Sequence, residues 1–303
     1  MRWRKLGRIY SPAPLGDWGV SHAAVPVPLR LEAHRWRVFF SPRDGANRSH
    51  TGFFDFDPRR PDRLLRLAAR PALSPGALGT FDEDGAMATW IVEEEGRLLL
   101  YYIGWNRGVT VPFRNAVGVA ESRDGGESFT RLSDGPVLDR DVHDPFFTAS
   151  PCVLVEDGTW RLWYLSCVGW EPTPAGPRHH YLIKYAESGD GLQWCRRGLV
   201  CIGFDRPDEY ALSRPWVLRE AGRYRMWYSR RGASYRIGYA ESPDGLSWQR
   251  RDEEAGIDVS PAGWDSEMVA YASVFDADGD RYMLYNGNGY GATGIGLAVL
   301  EQL

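Results

Sequence analysis

The chain has 303 residues, of which 43% are hydrophobic and 25% are charged. This apolar content is enough for a sizeable core, and no stretch approaches the roughly 18 consecutive apolar residues of a membrane span. Lysine and arginine total 36 against 40 acidic residues, a formal net charge of −4. A charge this weak, without a basic stripe, predicts neither a nucleic-acid partner nor a membrane partner.

The first residues and the cysteines bear on the compartment. The chain begins with a basic segment, but no apolar run follows it, so we expect no secretory signal. None of the four cysteines lies in a Cys-x-x-Cys pair, and a chain of this length does not need disulfides to be stable. We therefore expect four reduced thiols in a cytoplasmic protein. A disulfide between Cys195 and Cys201 is the less favoured alternative.

An apolar strand opens each of five sequence repeats, which we number one to five in chain order. A short turn with glycine leads from this first strand to an aromatic second strand, and 34 glycines and 20 prolines match many such turns. The first strand is predicted at 23–29, 86–92, 150–155, 215–218 and 268–275. The second is predicted at 35–40, 96–102, 158–164, 222–228 and 279–285.

Three repeats share a further phrase, in which two residues precede Ala-Glu-Ser and the chain then continues through Asp-Gly to an aromatic residue. Its copies lie at 118–129, 184–194 and 238–248. Asp-Gly suits a tight turn because both residues tolerate positive φ, so the phrase predicts a third strand, a turn and a fourth strand. We expect the second-strand aromatics and the aromatic after Asp-Gly to pack between neighbouring repeats. The segment 63–69 is the single candidate helix.

Four antiparallel strands in each of five repeats predict an all-β fold, a five-bladed β-propeller. We expect a single domain over residues 1–303, with the last blade completed by the N-terminal segment or by the end of the chain.

These phrases resemble those of the five-bladed glycosidase superfamily, which includes glycoside hydrolase families 43, 32, 68 and 130, over roughly residues 20–300. The pattern is also similar to an uncharacterised bacterial group that accompanies polysaccharide-biosynthesis genes. That similarity rests on the segments 102–106, 148–152, 263–268 and 285–290. The resemblance implies the propeller fold and a carbohydrate ligand, but it brings no activity from that group.

Strand parity predicts which face carries function. In an up-and-down blade, the connections from the fourth strand to the next first strand and from the second to the third strand emerge on one face. In this sequence these connections are irregular, whereas the turns of the other face are short and similar in every repeat. Polar residues enter the first strands on this face, and we expect Glu83, Glu209, Glu267, His22 and Arg214 to converge on one cavity. The predicted catalytic residues are Glu83, Glu209 and Glu267. The predicted substrate-binding residues are His22, Arg43, His50, Asp82, Trp105, Asn106, Asp144, Trp170, Arg214, Arg230, Asp265 and Asn288.

Clustered carboxyl groups are the chemistry of glycosidic bond cleavage, in which one protonates the leaving oxygen and another activates water or attacks carbon. The superfamily usually places an Asp at the first innermost strand, whereas this chain has His22 between Ser21 and Ala23. The clustered acids favour an enzyme acting on a glycosidic linkage by hydrolysis, phosphorolysis or transfer. Arginines in the loops around these acids favour an anionic or nucleotide-linked sugar as the substrate, and they are Arg43, Arg48, Arg107, Arg230 and Arg231. The missing Asp favours the alternative, a non-catalytic carbohydrate-binding propeller in polysaccharide biosynthesis.

A third possible function is a scaffold for protein interactions, which would require side chains to fill the central funnel of the predicted propeller. We expect no cofactor, and a cation among the axial carboxylates stays open. The expected partner is a sugar or sugar nucleotide, and the sequence does not define the oligomeric state.

Overall fold

The computed structural model describes residues 1–301, and it is almost entirely β-structure. Helix is confined to two 3-10 turns in this part of the chain, Asp252–Glu254 and Gly289–Gly291. The all-β prediction is therefore confirmed.

Twenty strands follow one another in the order that the repeats predict. Repeat one comprises β2 (Ser21–Glu32), β3 (Arg35–Arg43), β4 (Gly52–Phe56) and β5 (Leu64–Leu67). Repeat two comprises β6 (Gly85–Glu94), β7 (Arg97–Arg107), β8 (Phe113–Ser122) and β9 (Thr130–Arg131). Repeat three comprises β10 (Phe147–Glu156), β11 (Thr159–Glu171), β12 (Arg178–Ser188) and β13 (Cys195–Ile202). Repeat four comprises β14 (Ala211–Glu220), β15 (Arg223–Arg231), β16 (Tyr235–Ser242) and β17 (Gln249–Arg250). Repeat five comprises β18 (Ala270–Ala277), β19 (Asp280–Asn286) and β20 (Ile295–Leu300).

The fourth strand of repeat five comes from the start of the chain. Strand β1 (Trp3–Tyr10) pairs antiparallel with β20, which gives the sheet order β1-β20-β19-β18. Repeats one and two each form a four-stranded sheet, and repeats three and four are joined into one sheet by a parallel pairing of Tyr181 with Ala211. The N-terminal segment thus completes the last repeat, which is one of the two alternatives that the sequence left open.

The first strands of the repeats lie at the centre of the molecule. Their contacts run in a cyclic order, β2 to β6, β10, β14 and β18 and back to β2. The side chains between the sheets form one large apolar cluster, with Trp163 and Trp227 completely buried in it. The first strands therefore hold the residues that surround the centre.

Neighbouring repeats are joined through the Asp-Gly turns. A second-strand side chain of one repeat donates a hydrogen bond to the turn glycine carbonyl of the next. The three pairs are Arg37 to Gly125 at 3.0 Å, Tyr101 to Gly191 at 2.8 Å and Trp163 to Gly245 at 2.8 Å. The aromatic that follows each turn packs on a second-strand aromatic of the preceding repeat. These pairs are Phe39–Phe129, Tyr101–Trp194 and Trp163–Trp248, with ring centroids 5.6, 6.3 and 6.2 Å apart. Packing of these aromatics between repeats is confirmed.

One local prediction is wrong. The segment 63–69 contains strand β5 instead of a helix, because it pairs antiparallel with β4, Leu67 opposite Phe54. All four cysteines are free thiols, and three of them are buried. Within residues 1–301, no helix has the length and apolar character needed to cross a membrane.

Candidate functional site

Four of the five first strands contain a residue in the left-handed region at a matching position. These residues are Val25 (φ 55°), Ser150 (φ 48°), Arg214 (φ 53°) and Tyr271 (φ 59°). At each of them the pairing with the second strand shifts register, which marks a β-bulge. Strand β6 shifts register at the corresponding place, between Ala88 and Trp90. A bulge re-aims a side chain, and left-handed backbone in a non-glycine residue is strained and clusters at ligand sites.

The four left-handed residues all line one central cavity of about 470 Å³. Met87 of β6 completes the set, so the first strand of every repeat contributes to the wall. The remaining wall comes from further first-strand residues, from the ends of second and third strands and from the loops between them, on the face that strand parity predicts. Its other lining residues are Arg43, Asn47, Ser49, Ile103, Trp105, Arg107, Pro112, Phe113, Asn115, Phe147, Ala149, Leu165, Tyr181 and Ser213.

Arg214 is a completely buried cation on this wall. Its guanidinium donates to the Thr89 carbonyl at 2.7 Å, to the Pro26 carbonyl at 3.1 Å and to Ser273 Oγ at 3.1 Å. No carboxylate of the described chain forms an ion pair with it, and its buried Nε has no hydrogen-bond partner there. Burial disfavours the charged form and lowers the pKa of Arg214 to about 9. The guanidinium is therefore still largely protonated at neutral pH.

Two further arginines on the wall differ in how their charge is balanced. Arg107 forms an ion pair with Asp84, with 2.7 Å between Nη2 and Oδ1. Arg43 is partly buried and donates to Asn47 Oδ1 at 3.1 Å, but no described carboxylate pairs with it, and burial lowers its pKa. None of the lining residues is acidic. The cavity thus carries two cations, Arg43 and Arg214, that the protein does not neutralise.

Trp105 of β7, in repeat two, contributes an aromatic ring to the cavity wall. Its buried Nε1 lacks a partner among the described residues, and its indole lies directly against Gly85. A Cβ on Gly85 would come within 1.9 Å of that nitrogen. Glycine is needed here because the backbone of β6 and the indole approach so closely.

In four repeats a buried carboxylate outside the cavity is paired with a tyrosine of the second strand, in what we call the tyrosine–carboxylate clusters. In each, a second-strand tyrosine donates its hydroxyl to an aspartate, and a basic side chain of the fourth strand pairs with the same carboxylate. The tyrosine–aspartate pairs are Tyr102–Asp82, Tyr164–Asp144, Tyr228–Asp252 and Tyr285–Asp265, at 2.6–3.1 Å. The bases are Arg131, Arg196, Arg250 and Lys5.

The cluster of repeat three is the most completely bonded. Asp144 has no exposed surface and accepts hydrogen bonds from Tyr164 at 2.8 Å and from Ser166 at 2.6 Å. Lys184 and Arg196 each pair with it at 3.1 Å. Burial opposes ionisation, but these hydrogen bonds and charges outweigh it and lower the pKa of Asp144. An ionised carboxylate held in this way stabilises the repeat and is not available to a ligand in the cavity.

The expected convergence on one cavity therefore needs correction, since Arg214 is the only one of those five residues on the cavity wall within the described chain. Glu209 pairs with the fourth-strand base Arg250 at 2.6 Å and accepts from the Asp205 backbone nitrogen at 3.0 Å, so its carboxylate is already engaged. Glu83 accepts from the Gly79 backbone nitrogen at 2.6 Å and bends back over its own loop. Glu267 is exposed, and His22 contacts Ser21 Oγ at 2.9 Å beside the cavity. Burial and the nearby charge of Arg43 lower the pKa of His22 to about 4.

The predicted binding residues divide in the same way. Arg43, Trp105 and Arg214 line the cavity, whereas Asp82, Asp144 and Asp265 lie in the tyrosine–carboxylate clusters.

The remaining predicted residues position loops or stand behind the wall. Asn106 donates to the Thr80 carbonyl, Asn288 accepts from the Glu267 backbone, and Arg230 approaches Asp252 at 3.5 Å. His50 contacts Asp44 at 3.3 Å, and Trp170 packs on Phe113, a lining residue, at 5.5 Å between ring centroids.

Sequence reasoning missed Ser150, Tyr271 and the aromatic wall residues Phe113, Phe147 and Tyr181. A usable signal was present for part of the set, because Val25, Ser150 and Arg214 each precede a proline inside an apolar strand. Proline cannot donate to the ladder and marks a bulge when it occurs in a strand of this kind. No such signal distinguishes Phe113 or Tyr181 from the core aromatics of neighbouring strands. Among residues 1–301, no group of three or more His, Cys, Asp and Glu side chains is arranged to hold a metal ion.

Antiparallel four-stranded repeats about a central cavity are the fold of the β-propeller glycosidases, and solved structures of that class are similar to this chain. A solved glycoside hydrolase matches with a TM-score of 0.76 and 18% identity, over 99% of this chain and 92% of that one. A thermostable family-43 glycoside hydrolase matches with a TM-score of 0.69 and 17% identity, over 97% and 94%. The Bombyx mori GH32 β-fructofuranosidase BmSUC1 matches with a TM-score of 0.63 and 17% identity, over 97% and 62%.

Sequence comparison defines the family more narrowly. The chain is 48% identical over 303 residues, the full length of both chains, to the "Uncharacterized protein Rv1502" of Mycobacterium tuberculosis strain ATCC 25618 / H37Rv. The protein MT1551 of strain CDC 1551 / Oshkosh shows the same identity and coverage. The chain belongs to the family of these mycobacterial proteins. No protein-family model matches it.

Proposed function

We propose that this protein is a carbohydrate-active five-bladed β-propeller whose central cavity binds a saccharide. The observation that carries the proposal is the composition of the cavity wall. Aromatic rings of Trp105, Phe113 and Tyr181 lie beside the hydrogen-bonding side chains of Asn47 and Asn115. A sugar offers apolar C–H faces to rings and hydroxyl groups to amides, and a cavity of this volume suits a small ligand. The glycosidase-like fold supports the same ligand class.

Two functions remain within this class. Binding without catalysis, in the setting of polysaccharide biosynthesis, needs nothing beyond the cavity described above. Cleavage or transfer at a glycosidic linkage needs two carboxyl groups beside the scissile bond, and no acidic residue lines the cavity. The enzyme reading is supported by the fold of the solved glycoside hydrolases, with Glu83, Glu209 and Glu267 as the proposed acids. The cavity wall favours the binding reading.

A ligand screen tests the binding proposal. We expect a mono- or oligosaccharide to raise the melting temperature of the full-length protein and to bind in isothermal titration calorimetry. Trp105→Ala should weaken that binding about tenfold or more, since it removes an aromatic wall. Trp248→Ala is the matched control, because its indole packs on an Asp-Gly turn away from the cavity. Equal affinities for both variants would place the saccharide elsewhere.

A rate assay on activated glycosides and nucleotide sugars separates the two functions. If the protein is an enzyme of the paired-carboxylate type, at least one of Glu83→Gln, Glu209→Gln and Glu267→Gln should lower the rate about 100-fold. Turnover that survives all three changes would contradict paired-carboxylate chemistry by these residues. Tight saccharide binding without turnover would support the binding function.

A further inference from the structure

The buried charge of Arg214 has no compensation within the described protein. Moving an ion from water into a protein interior is unfavourable unless a counter-charge accompanies it. The acceptors that Arg214 does have are neutral: two backbone carbonyls and one hydroxyl. They satisfy hydrogen bonds but leave the positive charge in place, and the Nε of the guanidinium still lacks an acceptor.

A purely structural role does not explain why this position is an arginine. The three bonds connect β14 to β6, β2 and β18, so the side chain does join four repeats. Carbonyl and hydroxyl acceptors can be satisfied by an uncharged amide donor without the cost of a buried ion. The charge therefore exceeds what the joining role requires.

Arg43 adds a second uncompensated charge to the same cavity. The lining residues include both arginines and Tyr271 of β18. Arg107, also on the wall, shows the contrasting case, because Asp84 neutralises it. Two like charges repel each other across a cavity unless an anion lies between or beside them.

We propose that the saccharide in the central cavity carries an anionic group, a carboxylate or a phosphate, that binds to Arg214 and Arg43. This inference rests on the proposed function, because it names the chemical class of the ligand for the same cavity. An arginine fork matches the oxygens of either anion, and charge-assisted hydrogen bonds of this kind are about twice as strong as neutral ones. The protein as a whole has a net charge of −4, so the attraction is a property of the cavity and not of the surface.

Matched sets of sugars test the inference by calorimetry with the full-length protein. Each set holds one neutral sugar, its uronate and its phosphate: glucose, glucuronate and glucose-6-phosphate, and the corresponding galactose series. We expect at least one anionic member to bind about 10- to 100-fold more tightly than its neutral parent, and more weakly as salt is raised. Preference for the uronate or for the phosphate identifies which anion the cavity takes, and either preference supports the inference.

Variants link the preference to the two arginines. Arg43→Gln should lower affinity for the anionic member about 10-fold or more and lower affinity for the neutral parent by a clearly smaller factor. Arg114→Gln is the matched control, because Arg114 is an exposed residue of β8 between Phe113 and Asn115, whose side chains line the cavity. It removes the same charge on the opposite face of that strand, so both affinities should stay unchanged.

Arg214→Lys provides an independent variant that retains the charge but loses the planar fork. It should weaken anion binding while circular dichroism shows an unchanged fold, and Arg43→Gln keeps the inference testable if this variant does not fold. Equal binding of neutral and anionic sugars, unaffected by Arg43→Gln, would overturn the inference and leave the proposed function standing. Failure of every sugar in both series to bind would overturn both.

Discussion

The tyrosine–carboxylate clusters and the central cavity differ in whether their buried charges have a partner of opposite charge. In the clusters, each aspartate meets a tyrosine hydroxyl and a fourth-strand base, so charge and hydrogen bonds are both balanced. In the cavity, Arg214 and Arg43 have neutral acceptors and no described carboxylate. Balanced buried charge is what a stable scaffold requires, whereas unbalanced charge leaves interaction energy for a ligand. The comparison separates residues that hold the repeats together from residues that are available for binding.

The first repeat has no tyrosine–carboxylate cluster. Phe40 occupies the position of the cluster tyrosines and packs on Tyr10, with ring centroids 4.7 Å apart. In three of the clusters the aspartate lies 20 residues before its tyrosine, and the corresponding residue of repeat one is Val20. Repeat one thus has apolar residues at both positions of the pair.

The largest expected effect comes from removing a cluster carboxylate. Asp144→Ala leaves Lys184 and Arg196 without their shared partner, and breaking a buried ion pair in this way costs about 3–5 kcal/mol of unfolding free energy. Urea denaturation followed by tryptophan fluorescence measures it. Asp134→Ala, an exposed acid that follows strand β9, should change stability by less than about 0.5 kcal/mol. A similar small loss for Asp144→Ala would mean that the cluster is not a stabilising unit.

A buried hydroxyl group introduced at a position without a carboxylate acceptor should also lower the unfolding free energy. Phe40→Tyr places a phenol oxygen in the completely buried apolar packing of repeat one, at a cost of about 1–3 kcal/mol. Chemical denaturation of the variant tests this, with Phe204→Tyr, a partly exposed ring, as control. Unchanged stability of Phe40→Tyr would show that repeat one can supply a partner for the hydroxyl.

The tyrosine of a cluster should matter less than its carboxylate. Tyr164→Phe removes one donor from Asp144 and leaves three, so we expect a loss of about 1 kcal/mol. Tyr10→Phe is the matched control, a buried ring whose hydroxyl has no hydrogen bond within residues 1–301. If the loss at Tyr164 equalled that of Asp144→Ala, the phenol and not the ion pairs would dominate the cluster.

The negative charge of Asp124 is stabilised by hydrogen bonds alone, without a basic side chain. Burial raises its pKa, but donors that include the Ser128 and Ser122 hydroxyls outweigh burial and lower the pKa from 3.8 to about 2. A depressed folded-state pKa adds stability that is present above pH 3.8 and disappears as the pH falls towards 2. Because the group is largely exposed, that stability amounts to about 1 kcal/mol at most.

Asp124→Asn should therefore lower the melting temperature at neutral pH and flatten its decline between these two pH values. Thermal unfolding measured across that range provides the test, and Asp134→Asn is a control with an exposed acid. Parallel pH profiles for the wild type and Asp124→Asn would contradict the assignment.

The smallest expected effect on stability belongs to the cavity. Arg43→Gln removes a charge that no carboxylate balances, so the unfolding free energy should change by less than about 0.5 kcal/mol. Denaturation of the ligand-free protein measures it, against Arg114→Gln. A loss comparable to that of Asp144→Ala would make Arg43 part of the scaffold and remove the contrast between the two regions.

How far the candidate site could be predicted is clear from particular residues. The sequence predicts Arg214 and Trp105 as site residues, because Arg214 lies at a strand entrance and Trp105 lies in an irregular loop. Asp82 and Glu209 were placed at the centre for the same reason, but their bases, Arg131 and Arg250, lie 49 and 41 residues further along the chain. A pairing over such a separation leaves no local pattern, so sequence alone could not show that these acids are already engaged.

The sequence by itself determined the repeats, the order of strands and the Asp-Gly turns, because these depend on side-chain alternation and on turn residues within a few positions of each other. It also indicated which face carries the irregular loops. Only the tertiary structure decided which charges are balanced, since that depends on which fourth-strand base reaches which acid. It likewise decided that bulges turn Ser150, Arg214 and Tyr271 towards the centre, because left-handed backbone at non-glycine residues is imposed by the surrounding strands and not by local preference.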